Sequence, residues 1–139
     1  MLAGMTARPD PQLPDPQAPD LRVTVEASHL PGQSLPGRVL FRYVVRIENH
    51  AGESWQLLGR EWRITDAAGR LTEVDGEGVV GQTPVLAPGA VYVYDSFVTV
   101  EEPPGRMSGH YRLRDAWGRE GRVPIPEFRL ELPAGRTLN

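Results

Sequence analysis

Val39-Leu40-Phe41-Arg42-Tyr43-Val44-Val45-Arg46-Ile47-Glu48 is the stretch whose reading decides the fold. Val39, Phe41, Tyr43, Val45 and Ile47 fall on one side of an extended chain, and Arg42, Arg46 and Glu48 fall on the other. A period of two marks a strand with one face in a core. Leu40 and Val44 share the outer side, which predicts that this face is partly covered. Just upstream, Leu21, Val23, Val25 and Ala27 alternate with Arg22, Thr24, Glu26 and Ser28 in the same way. Between the two runs, His29 to Gly37 holds Pro31, Gly32, Pro36 and Gly37, a loop signal.

The pattern continues downstream. Asn49 to Glu53 reads as a turn, and Trp55 to Thr65 as a third strand. Leu57 and Trp62 cannot share a face there without an extra residue, which predicts a β-bulge around Gly59-Arg60. Asp66-Ala67-Ala68-Gly69 is a hairpin turn, Leu71 to Val74 a short strand, and Asp75 to Pro84 a glycine-rich loop. Ala87-Pro88-Gly89-Ala90 is a tight turn leading into a strand from Ala90 to Val100. Arg106 to Asp115 alternates Met107, Gly109, Tyr111 and Leu113 inward against Ser108, His110, Arg112 and Arg114 outward. The last strand region runs from Arg122 to Leu132, and Pro124 and Pro126 place its first half at a sheet edge. No stretch keeps a helical period, so a parallel α/β fold has no crossover helices to build it. The fold class is all-β, an antiparallel β-sandwich of about seven to eight strands.

The chain of 139 residues fits one domain. Residues 1–20 carry Pro9, Pro11, Pro14, Pro16 and Pro19 among Asp, Gln and Ala, and read as a disordered or extended tail. Residues 21–133 form the sandwich domain, and 134–139 a C-terminal tail. No apolar run approaches the roughly 18 residues of a membrane span, and the start lacks the pattern of a secretory signal. With no cysteine, disulfides, thiolate metal sites and a cysteine nucleophile are excluded, and a cytoplasmic setting fits. A net charge of −3 gives no basic footprint for nucleic acid. All 15 basic residues are arginine. They are spread along the chain, which fits genome composition better than an anion-binding cluster.

Gly76-Glu77-Gly78-Val79-Val80-Gly81 matches G-x-G-x-x-G. In a dinucleotide fold the third glycine opens a helix whose N-terminus faces pyrophosphate. Here Gln82-Thr83-Pro84 follows, then Pro88-Gly89, so that context fails. Two readings remain for Gly76, Glu77, Gly78 and Gly81. The backbone amides could cradle phosphate without a helix. Alternatively, the glycines let a crossing loop bend, which the intervening Glu77 favours.

Other candidates are weaker. The serines lie in no G-x-S-x-G context, and Ser108 with His110 is a same-face strand pair that lacks an orienting partner. His29, His50 and His110 sit far apart without metal-ligand spacing. Trp62 resembles the core tryptophan of immunoglobulin-like sandwiches, while Trp55 and Trp117 lie near turns and are expected to cap the core.

Four segments carry a resemblance: Leu57-Leu58-Gly59-Arg60-Glu61-Trp62-Arg63-Ile64-Thr65; Glu73-Val74-Asp75 through Gln82-Thr83-Pro84; Leu86-Ala87-Pro88-Gly89; and Gly105-Arg106-Met107-Ser108-Gly109-His110-Tyr111. Together they resemble the ApaG family, over about Leu21 to Pro133. The resemblance implies an immunoglobulin or fibronectin type III-like antiparallel sandwich of about seven strands and a bacterial cytoplasmic protein with no established reaction. It also implies a protein-binding role like that of related eukaryotic domains, and a link, by phenotype, to cobalt resistance and magnesium efflux. The family's glycine motif has suggested nucleotide binding, and Gly76, Gly78 and Gly81 match it. The expected function is a non-enzymatic binding or adaptor module without catalytic residues, metal ligands or cofactor. Its expected partner is another protein, and its alternative ligand a nucleotide or pyrophosphate. Neither nucleic acid nor membrane is expected, and self-association is expected to be absent or weak.

Overall fold

A computed structural model describes residues 18–133. The tail expected over residues 1–20 therefore lies mostly, and the one over 134–139 wholly, outside the described residues. Eight strands follow in chain order: β1 (Leu21–His29), β2 (Val39–Asn49), β3 (Trp55–Thr65), β4 (Leu71–Glu77), β5 (Val85–Leu86), β6 (Val91–Val100), β7 (Gly105–Asp115) and β8 (Glu120–Leu130). A single 3-10 turn, Pro31–Gln33, is the helical element among the described residues. No helix there is long and apolar enough to cross a membrane.

The strands form two antiparallel sheets. One has the order β1-β2-β6, the other β4-β3-β7-β8, with β5 pairing β3 beyond the end of β4. β1 packs over β8, so the edges of β6 and β4 lie on the opposite side of the sandwich. The alternation in β2 is realised in full: Val39, Phe41, Tyr43, Val45 and Ile47 are all buried. They meet Trp62, Tyr111, Leu113, Val123 and Ile125 from the other sheet in one core. Aromatic rings interlock there, with Trp62 edge-on to Tyr43 and Phe128 at 5.6 and 5.9 Å between centroids.

The bulge in β3 exists one residue earlier than expected. The pairing with β7 skips between Leu57 and Gly59, so Leu58 is the extra residue. Both Leu57 and Trp62 thereby reach the core. A second irregularity went unforeseen: Met107 pairs Phe128 while Gly109 pairs Ile125, so β8 carries an extra residue around Pro126. Proline has no amide to donate to the ladder, which makes this the natural point for the slip. β4 also runs further than expected, through Asp75 and Gly76 to Glu77.

Two hairpin turns share one chemistry that the sequence spells twice, Asp66-Ala67-Ala68-Gly69-Arg70 and Asp115-Ala116-Trp117-Gly118-Arg119. In each, the aspartate Oδ1 accepts the amides two and four residues on, at 2.8–2.9 Å. The glycine takes φ +84° or +82°, which a side chain resists. The arginine returns to the aspartate Oδ2 at 2.8 and 2.7 Å. Asn49 does comparable work at the β2–β3 turn. Fully buried, it donates to the carbonyls of Glu53 and Leu86 and accepts the amide of Ala51, so its amide group is satisfied.

Candidate functional site

The glycine motif splits between two environments. Gly76 and Glu77 belong to β4, opposite Arg60 and Gly59. The turn proper is Gly78 to Gln82. The Gly78 amide donates to the carbonyl of Leu58, the bulged residue, at 2.7 Å. Val79 and Gln82 then exchange backbone hydrogen bonds at 2.8 and 3.0 Å across a two-residue turn of Val80 and Gly81. Both central residues have positive φ, +48° and +78°, as a type I′ turn requires. Glycine adopts this at no cost; a β-branched valine is strained by about 1–2 kcal/mol. Val79, fully buried, anchors the turn in the core, and Val80 is exposed. The amides of Val80 and Gly81 have no backbone acceptor among the described residues.

Arg60 ties this turn to the sheet. The bulge turns its side chain to the inner face, in line with Trp62 and Ile64 and opposite Gly76. Its Nη1 donates to the carbonyls of Glu77 and Gly78 at 3.0 and 2.7 Å. No carboxylate lies within salt-bridge distance of it among the described residues. Nearby, the hydroxyls of Tyr94 and Tyr111 share a buried hydrogen bond. Burial, more than any charge, pushes both phenols above their ordinary range, and the Arg60 cation pulls slightly the other way.

The outer face of the larger sheet carries a separate ionic layer. Glu77 points there, away from Arg60, and meets Arg112 at 3.3 Å. Arg112 lies across Gly59, where a methyl group would come within 2.1 Å of its guanidinium. Glu61 holds Arg122 at 3.0 Å and Arg112 at 3.7 Å. His110 and Ser108 share this face beside Arg122 and Gly109, around a shallow depression. Burial lowers the His110 pKa below its ordinary value; Arg122 adds to this and Glu61 opposes it. Ser108 and His110 make no hydrogen bond to each other among the described residues.

The smaller sheet presents a third feature. On the outward side of β6, Val91, Val93 and Phe97 are 46, 53 and 56% exposed. Leu40 and Val44 adjoin them on β2, each partly covered as the sequence implied. Ion pairs Arg42–Asp95 and Arg46–Glu48, at 2.9 and 2.7 Å, punctuate the patch.

The structure thus brings Gly78 and Gly81 into one turn and leaves Gly76 and Glu77 in the strand before it. Of the turn-adjacent tryptophans, Trp55 is buried as a core cap, whereas Trp117 is 73% exposed and stacks only with Arg119, contrary to the capping expected of it. The histidines stay apart: His29 packs on Phe41 and Ser34, and His50 pairs with Glu48. The inward Arg60 was readable from the bulge, because Trp62 facing in forces Arg60 to face in two residues earlier. The Tyr94–Tyr111 bond had no local signal, since it joins strands of different sheets.

Comparison with known proteins agrees with the motifs. The ApaG domain family matches residues 31–115. Protein ApaG of Deinococcus radiodurans is 56% identical over 128 residues, covering 92% of both chains. Protein ApaG of Pectobacterium carotovorum is 43% identical over 114 residues, 81% of this chain and 91% of its own. The crystal structure of the Bordetella pertussis protein termed ApaA superposes with a TM-score of 0.80 at 41% identity, over 84% of this chain and 97% of that one. The chain belongs to the ApaG family.

Proposed function

We propose that this chain is a non-enzymatic binding module that docks another protein on the outward face of β2 and β6. The observation that carries this is the row of half-exposed Val91, Val93 and Phe97 on a strand whose outer edge has no partner among the described residues. Full burial of such side chains is worth about 1.5–3 kcal/mol each, so covering their exposed halves yields roughly 3 kcal/mol in total. Association alone costs about 4 kcal/mol or more. The apolar row is therefore a contributor, and backbone pairing along the β6 edge has to supply the rest. The complex that results is modest in affinity and reversible. The test is affinity capture by the full chain and by a Val93→Asp/Phe97→Asp variant, with partners quantified by mass spectrometry. Both side chains point outward and are half-exposed, and a circular-dichroism spectrum matching the wild type establishes that the variant keeps its fold. A specific partner lost by the variant supports the reading; identical capture profiles reject it.

A second reading, phosphate or nucleotide binding at Gly76, Glu77, Gly78 and Gly81, is favoured by the consecutive amides of Val80 and Gly81 and by the Arg60 cation, which among the described residues have no backbone acceptor and no carboxylate partner, respectively. Against it, the Gly78 amide is already committed to the Leu58 carbonyl, and those of Val79 and Gln82 to each other's carbonyls across the turn. Amide NMR titration with ATP, diadenosine tetraphosphate and pyrophosphate decides: shifts centred on Val80 and Gly81 support it, and unmoved amides at millimolar ligand end it. A metal-linked role rests on the family phenotype alone, and calorimetry with Co²⁺ and Mg²⁺ tests it.

A further inference from the structure

Among the described residues, strand β4 forms the outer edge of the larger sheet, pairing β3 on one side only. All its residues are exposed except Gly76, which is partly buried. Pairing with β3 fixes its two faces. Glu73, Asp75 and Glu77 stand outward, opposite Arg63, Glu61 and Gly59, while Thr72, Val74 and Gly76 face the other way. The three carboxylates thus stand in a row at every second position. Their side chains are 69, 76 and 87% exposed, and their nearest guanidiniums lie at 4.0, 3.9 and 3.3 Å. Exposed pairs at such distances hold little, since solvent screens them and ordering the side chains costs entropy.

An edge of this kind is a template for one more strand. The charges decide which strand fits. A second copy of β4 would set carboxylate against carboxylate along the row, which is destabilising. A strand with arginine or lysine at alternate positions sets each cation directly opposite a carboxylate, and its intervening residues fall beside Val74, which is 41% exposed.

We propose that β4 is a docking edge for an extended segment of a partner protein carrying basic residues at every second position. This shares with the proposed function the view that the chain binds protein, but it concerns a different sheet and a different partner chemistry. The probe is a capped peptide alternating arginine with valine, titrated into the ¹⁵N-labelled full chain. A second peptide of the same sequence carries N-methyl groups on the backbone amides that would face the edge. The expected result is amide shifts centred on Leu71–Glu77 and an affinity loss of about tenfold or more on N-methylation. The exposed triple variant Glu73→Gln/Asp75→Asn/Glu77→Gln is expected to lose a similar factor. Equal binding of the two peptides, an unaffected triple variant, or no binding overturns the proposal. Shifts centred on Val91–Val100 would overturn it too, while leaving the module reading intact.

Discussion

The guanidinium of Arg60 rests on the bare Cα of Gly76, where an added methyl group would lie 2.9 Å from Nη1. That proximity lets one arginine hold the carbonyls of both Glu77 and Gly78. Gly76→Ala is therefore expected to displace Arg60 and cost about 1–3 kcal/mol, the range for hydrogen bonds from a charged donor. Arg60→Gln should cost a similar amount, and the double variant little more than either single. Urea unfolding of the three variants checks this; additive losses would show that the two residues act independently.

Val80 occupies the left-handed region that its β-branched side chain resists. Val80→Asn places Asn-Gly in a type I′ turn, the favoured pair for that geometry. We expect stabilisation of about 1 kcal/mol and a raised Tm. An unchanged or lowered Tm would mean that the valine side chain makes compensating contacts.

The buried hydroxyls of Tyr94 and Tyr111 satisfy one another. Either single phenylalanine variant strands a buried polar atom and should cost about 1–3 kcal/mol, whereas the double variant should recover much of the loss. A double-mutant cycle by thermal unfolding reports the coupling, and a coupling near zero would contradict it.

His110 makes stability depend on pH. Its folded-state pKa lies below the ordinary 6.5, chiefly through burial. The unfolded chain therefore takes up its proton first as pH falls. Stability is full above about 6.5 and declines as the pH drops through the folded-state value. Unfolding midpoints measured from pH 7.5 to 5 should fall less steeply for His110→Gln than for the wild type. Parallel profiles would show that His110 does not set the slope.

Much of the fold could be read in the chain because alternation is a local signal. Val39 through Ile47 has one buried face whatever lies around it, and the clash of parity between Leu57 and Trp62 required a bulge. What escaped was non-local. Asp75, Gly76 and Glu77 carry poor strand formers, yet they pair because Arg60 and Gly59 lie opposite. The slip near Pro126 depends on its partner strand β7. The glycine motif was visible as a pattern, but its division between strand and turn was not, because hydrogen bonds to Leu58 and Arg60 set it. The twin Asp-Ala-x-Gly-Arg turns were fully legible and simply call for reading the two segments side by side.

The central claim, protein docking on the outward face of β6, is tested most directly by site-specific photo-crosslinking in living cells. A photoreactive residue replaces Phe97 in one strain and Arg114, an exposed position on the other sheet, in a second. The account predicts a discrete crosslinked species from position 97 that disappears when Val93→Asp is added, and none from position 114. No adduct at 97, or the same adduct from both positions, would contradict it.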